Sequence, residues 1–427
     1  MPASSEQKKI ISWALYDWAN SAFATTVMAG FFPIFFKQYW SVGTSASVST
    51  FQLGAGNSLA SIVVAAMAPI LGAIADRGST RKKFLFYFAM MGIVMTGSLY
   101  FVARGNWQVA LALYILATIG FSGGNIFYDS LLVNVAGKEK MDSVSALGFA
   151  LGYLGGGLLF ALNVLMTLTP QTFGLVDAGE AVRISFVCVA VWWGVFSIPV
   201  FFFVDEPKTD AATTQKNAVI AGFQQLASTF RKIRNLRVVF LFLLGYWLYI
   251  DGVDTIVRMA VDYGMSLGFA PKSLITALLL TQFVGFPASI AFGRIGQRLG
   301  AKKGIYIGVS VYLGVTVWGF FMRRELEFYL LAIVIGLVQG GVQSLSRSFY
   351  TRIIPKNQAA EFFGFYNLLG KFAAVIGPFL MGWVGIIMGN TRYSILSISL
   401  LFLCGGALLY FVNEEEGQRL AQQMEKM

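Results

Sequence analysis

Residues Tyr249–Asp262 read YIDGVDTIVRMAVD, inside a segment from Val238 to about Tyr263 that is otherwise apolar and aromatic. Asp251, Asp254, Arg258 and Asp262 are separated by three, four and four residues. At 3.6 residues per turn that spacing gathers all four on one stripe of a helix. A helix entering a membrane near Val238 carries Asp251 roughly 20 Å along its axis, beyond the middle of a hydrocarbon core of about 30 Å. Ionisable groups at that depth are costly and turn toward a bundle interior or a watery cavity. Two arrangements fit: an Asp–Arg pair pinning two helices, or a solvated pathway with this stripe as one wall.

The rest of the chain supports a membrane setting. Of its 427 residues 56% are hydrophobic and 12% charged, against about a quarter charged in soluble domains. Six apolar runs lie at roughly 11–37, 52–75, 84–103, 108–135, 143–168 and 182–204. Six more lie at roughly 238–263, 271–293, 304–322, 328–350, 361–388 and 391–412. Each is long enough to span a bilayer, and none alternates as the strands of an outer-membrane barrel do. The expected fold class is therefore all-α and integral to the membrane, with twelve transmembrane helices. Residues 205–235 are too polar to cross; within them Ala218–Ile233 is a candidate amphipathic surface helix. The tail, residues 413–427, reads as a solvated end.

A net charge of +11 suggests nucleic acid until its distribution is read. The basic residues cluster in alternate loops, as at Arg77–Lys83, Arg231–Arg237, Arg294–Lys303 and Arg352–Lys356, and are sparse in the others. This is the positive-inside pattern; it places both termini in the cytoplasm, in a bacterial inner (plasma) membrane, with no nucleic-acid partner. The first apolar run has no cleavable-signal pattern and reads as a retained span. Cys188 and Cys404 lie far apart and histidine is absent, so no disulfide, metal set or cofactor is expected. No paired catalytic motif stands in the short loops, which argues against an enzyme.

The halves repeat. Gly120–Gly156 lies on Gly336–Phe372 without a gap, pairing Gly120 with Gly336 and Gly124 with Gly340. The loop after the second run contains Gly72, Asp76, Arg77, Gly78, Arg81 and Lys82, and a weaker echo, Gly293 to Lys303 with Gln297 in place of the acid, follows the eighth. Two parallel, pseudo-symmetric six-helix bundles, residues 1–204 and 236–412, are what such a repeat implies.

The six-plus-six organisation, the polar central loop and the G-x-x-x-D-R-G-x-x-R-K-K motif at Gly72–Lys83 resemble the major facilitator superfamily. The opening Trp13-Ala-Leu-Tyr16-Asp17-Trp18-Ala-Asn20-Ser21 is similar to the vacuole-effluxer-like branch, also called the unknown major facilitator family. The superfamily resemblance implies secondary transport by alternating access, with spans 1, 4, 7 and 10 around a central cavity. It also implies that Asp76 meets the positive N-terminal end of span 11, and that Arg77 and Arg81 reach acids such as Glu139 or Asp142, a switch biasing one global state. With Gln297 uncharged, that lock is expected on one side only. The branch implies, from its fungal members, export of amino acids. In span 5, Gly148-x-x-x-Gly152-Tyr153-x-x-Gly156-Gly157 is similar to the glycine motif of antiporters, with Tyr153 where their proline stands; close helix packing through small residues explains it better.

The polar residues of the spans form the candidate pathway. Span 1 offers Asp17 and Asn20, span 4 Asn125, Tyr128 and Asp129, span 10 Gln343 and Arg347, and span 11 Asn367 and Lys371. Asp17, Asp129 and Arg347 each sit roughly 10 Å from the cytoplasmic ends of their spans. Opposite charges at one depth, drawn from different halves, suit an inner gate, although a static bridge between neighbouring helices fits as well. Lys371 is a candidate point charge for a substrate carboxylate or phosphate; Asp251 and Asp254, with Arg258 near, are candidates for a proton, sodium or substrate-amine site. The function expected is a monomeric secondary transporter of a small polar or zwitterionic solute, coupled to a proton or another cation. The competing expectation is a lipid or glycolipid flippase of the same fold, with a membrane-embedded enzyme behind it.

Overall fold

A backbone surrounded by hydrocarbon must satisfy its own N–H and C=O groups, and a helix does so within one segment. The computed structural model describes residues 5–44, 46–78, 80–206, 236–372, 376–388 and 391–425, and among them there is helix and short connection but no sheet. The first half comprises α1 (Ser5–Trp40), α2 (Ala46–Gly78), α3 (Arg81–Ser98), α4 (Trp107–Val135), α5 (Met141–Leu168) and α6 (Ala178–Phe203). The second comprises α7 (Arg237–Ser266), α8 (Pro271–Leu299), α9 (Ala301–Phe321) and α10 (Glu325–Ile353). It continues with α11, described in two parts as Ala359–Phe372 and Ile376–Met388, and α12, as Thr391–Ser397 and Ser399–Tyr410. Eleven described helices are long and apolar enough to cross a membrane; the two-part α11 makes the twelfth. The polar flanks continue the helices past the apolar windows, so α1 starts at Ser5 rather than near residue 11 and α2 at Ala46 rather than near 52. Residues 207–235, and with them the candidate surface helix at 218–233, lie outside the described residues.

The tail, mostly exposed, is helical with one face docked. Glu414–Glu425 forms α13, and a Cβ on its Gly417 would fall against Ile353 and Val238. Ala421 is buried as well, so one face of the helix covers the ends of α7 and α10. Glu425 accepts the Lys356 N–H at 2.8 Å. Glu6 pairs with Lys140 just before α5, and Gln297 at the end of α8 reaches the neighbouring Glu139, so the described ends of the chain, near Glu6 and Glu425, lie at one end of the bundle, here termed basal.

Small residues let the helices approach. Along α5, added Cβ atoms at Gly148, Gly152 and Gly156 would meet Asp17, Ser21 and Thr25 of α1, each at 2.6 Å. The glycine pattern of span 5 is therefore the seam between α5 and α1. Tyr153 points the other way, to Gly285 of α8 and Gly340 of α10. Between the halves, Gly72 of α2 abuts the Ala360 carbonyl of α11, and Gly293 and Gly296 of α8 abut Ala146 and Asp142 of α5. In these pairs the halves meet at their basal ends, and equivalent glycines in each half make the approach.

Candidate functional site

Above that basal contact lies a cavity of about 240 Å³ between the halves. Its walls include Asp17, Asn20 and Ser21 of α1, Asn125, Tyr128 and Asp129 of α4, and Phe149 of α5. Asp254 of α7, Gln343 and Arg347 of α10, and Asn367 and Gly370 of α11 complete the polar lining, beside the rings of Tyr246 and Tyr366. Span 11 therefore contributes alongside spans 1, 4, 7 and 10.

Arg347 forms the floor, and only 3% of it is exposed. Its Nη1 lies 3.0 Å from Asp129 and 3.4 Å from Asp17. Nε donates to Ser145 Oγ at 2.9 Å and Nη2 to the Ser145 carbonyl at 2.8 Å. The guanidinium also lies over Phe149 at 4.3 Å, Trp13 at 4.9 Å and Tyr128 at 5.7 Å. A buried cation needs this much compensation, because an uncompensated charge in low dielectric costs several kcal/mol. The first half orders the receiving groups itself: Tyr128 Oη donates to Asp17 at 2.9 Å, Trp13 Nε1 donates to the Tyr128 carbonyl at 3.0 Å, and the Trp13 and Tyr128 rings stack at 4.5 Å. Higher up, Asn20 Nδ2 donates to Asn125 Oδ1 at 2.6 Å. Asn367 Nδ2 reaches Asp129 at 3.4 Å and Tyr153 Oη reaches Gln343 at 3.5 Å.

The α7 stripe divides. Asp254 faces the cavity. Asp251 is fully buried and turns away from it: its carboxylate accepts the backbone N–H groups of Ile376 and Gly377 at 3.1 and 3.0 Å, with Thr255 Oγ1 at 3.2 Å. It thereby joins α7 to the backbone of α11. The expectation that Asp251 lines the pathway is corrected accordingly; period alone does not say which neighbour a buried acid faces. The side chains of Arg258, Asp262 and Lys371 lie outside the described residues.

The basal switch also differs in detail. The side chains of Asp76 and Arg77, like Gly78, lie outside the described residues, but Gly72 packs against the first turn of α11. Arg81 donates to the carbonyls of Ser130 at 3.4 Å and of Lys356 at 3.0 Å. The Lys82 ammonium donates to the Val204 carbonyl, and its backbone N–H donates to Glu206. Asp142 is paired with Arg352 at 2.6 Å and accepts from Ser348 Oγ at 2.6 Å, both from the second half. Nor is the lock one-sided: Gln297 donates to Ser143 Oγ at 2.9 Å and to the Glu139 carbonyl at 3.3 Å, crossing between the halves without charge.

Ser145, Ser348, Arg352, Phe149, Tyr246 and Tyr366 were not anticipated. The alternation Ser344, Ser346, Arg347, Ser348 was a signal: hydroxyls and a cation crowding one turn of an apolar span need polar partners across a helix interface.

Comparison with known proteins agrees with this architecture. The model of a family described as "Vacuole effluxer Atg22 like" matches residues 42–422, which leaves out the Trp13–Ser21 motif. "Uncharacterized MFS-type transporter YxiO" of Bacillus subtilis (strain 168) is 40% identical over 414 residues, 96% of each chain. Among solved structures, the human organic anion transporter MFSD10 (TETRAN) superposes with a TM-score of 0.73 at 15% identity, covering 96% of this chain and 100% of that one. The major facilitator transporter FucP in its outward conformation gives 0.70 at 11% identity, covering 96% and 99%. At such identities these structures speak for the fold.

Proposed function

The chain belongs to the Atg22-like vacuole effluxer family of major facilitator transporters, and from its cavity we propose that it moves a small polar or zwitterionic solute such as an amino acid by alternating access. It exports or exchanges this solute, coupled to protons or another cation. Residues 1–204 and 236–412 are the two moving halves, joined by 205–235, and a single copy of the chain suffices. The basic loops put the basal end, with both termini, in the cytoplasm of a bacterial cell.

One observation carries the reading: the chamber between the halves offers carboxylates, amides and a guanidinium within about 240 Å³. That is smaller than the roughly 300–1,000 Å³ of pockets that hold drug-sized ligands. A zwitterion needs both charge signs within a few ångströms, and Asp254, Asp129 and Arg347 supply them. A lipid or glycolipid needs a larger and more apolar chamber, so the flippase reading is not favoured. The Arg347 contacts close the basal side of the chamber.

The test is counterflow in proteoliposomes preloaded with unlabelled amino acid, preceded by a thermal-shift screen against amino acids, dipeptides, sugars and lysolipids. Stabilisation by amino acids and accelerated uptake of the labelled form are expected. Stabilisation by lysolipids alone, with counterflow no faster than in empty liposomes, refutes the proposal.

A further inference from the structure

Arg347 belongs to the second half, yet the groups that receive its charge belong to the first. Asp17 and Asp129 supply two carboxylates, Ser145 a hydroxyl and a carbonyl, and Trp13, Tyr128 and Phe149 three ring faces. Planar, forked donors and stacked rings are what a guanidinium selects over a compact ammonium. The receptor is held together by contacts within its own half, from Tyr128 to Asp17 and from Trp13 to Tyr128. It therefore keeps its shape when the halves separate as units.

Separation removes the cation. Two acids sunk among aromatic rings are then left without their partner, an arrangement costly enough to demand a replacement. We propose that the first half carries a cation-binding site of guanidinium class, filled by Arg347 while the basal end is closed and open to a guanidinium or alkylammonium group of a solute once it parts. Arg347 is in this sense a tethered competitor: a cationic solute seated in the site holds the basal gate open, and its departure lets Arg347 return. The inference rests on the alternating-access reading above and adds the chemical class that the basal-open state prefers.

The experiment uses purified full-length protein and guanidinium itself as the probe. Arg347→Ala is expected to bind radiolabelled guanidinium saturably and at least about tenfold more tightly than the wild type, whose own arginine competes. Adding Asp129→Asn removes one charge-assisted contact and should reverse the gain by about tenfold. Agmatine should compete, and urea, similarly planar but uncharged, should not. A folded, monodisperse Arg347→Ala protein that binds guanidinium no better than the wild type overturns the proposal, as does equal competition by urea.

Should that variant fail to fold, the wild type decides. Spin labels at Lys138 and Arg298, exposed positions at the basal ends of the two halves, should move apart when methylguanidinium is added, relative to sodium chloride of equal ionic strength. Unchanged distances overturn the proposal. Loss of amino-acid counterflow leaves these binding results untouched, and the reverse also holds, so the two failures are told apart.

Discussion

Asp251 Oδ1 accepts the Gly377 N–H at 3.0 Å, binding α7 to α11. Its other oxygen takes Ile376 N–H at 3.1 Å, and both bonds are sealed from solvent by a fully buried side chain. Leaving a buried N–H without its acceptor costs about 1–3 kcal/mol. Asp251→Ala should therefore lower thermal stability in detergent by several degrees, with Asp251→Asn, which keeps one acceptor oxygen, falling between. An Ala variant that melts with the wild type would refute this structural role.

Much of this molecule is written in its hydropathy. Apolar runs separated by basic and non-basic loops lead to twelve helices, and the polar residues on spans 1, 4 and 10 lead to the cavity wall, because few other arrangements bury Asp17, Asp129 and Arg347 together. Contacts that depend on which helix lies opposite are not written there. Asp251 and Asp254 differ by three positions and look equivalent on a helical wheel, yet one faces α11 backbone and the other the cavity. Asp142 likewise reads as a first-turn acid of α5 and only the packing of α10 brings Arg352 to it. α13 was hidden by its polarity: a short face bearing Gly417 and Ala421 suffices for docking.

Gly72 has no room for a side chain while the basal ends touch, since a Cβ there would strike the Ala360 carbonyl of α11. Overpacking costs about 1–3 kcal/mol, which converts to roughly 5- to 150-fold in a two-state ratio. Gly72→Val should thus hold the basal ends apart, lengthening the distance between labels at Lys138 and Arg298 and slowing transport. Wild-type distances together with wild-type rates would remove the glycine from the switch.

Arg352 joins three parts of the chain, with Asp142 of the first half at 2.6 Å and Glu414 of α13 at 3.1 Å. Asp142 is completely buried, and breaking a buried pair by deleting one partner typically costs about 3–5 kcal/mol. Arg352→Ala should open the basal seam, so that a cysteine placed at the buried Ser344 reacts faster with reagent applied from the basal side. Glu414→Gln, at a quarter-exposed carboxylate, should change the labelling rate little. Equal rates in Arg352→Ala and wild type would mean that the pair does not hold the closed state.

Asp254 is the described α7 acid that faces the cavity, which concentrates the coupling role there. A carboxylate on the solute path binds a proton, a cation or a substrate amine, and each choice has a different signature. Asp254→Asn keeps size and hydrogen-bonding capacity while removing the charge. If the acid couples transport to an ion gradient, the variant should lose gradient-driven movement by about tenfold or more, while counterflow in the same proteoliposomes persists, because exchange needs alternating access but no ion. If the acid holds the substrate amine, driven transport and counterflow fall together and amino acids no longer stabilise the protein in thermal shift. Asp251→Asn serves as the control: as a tie between α7 and α11 it should leave the ratio of driven transport to counterflow unchanged even where its melting temperature drops. Full driven transport in Asp254→Asn would exclude this residue from coupling and turn attention to the acids beside Arg347, Asp17 and Asp129.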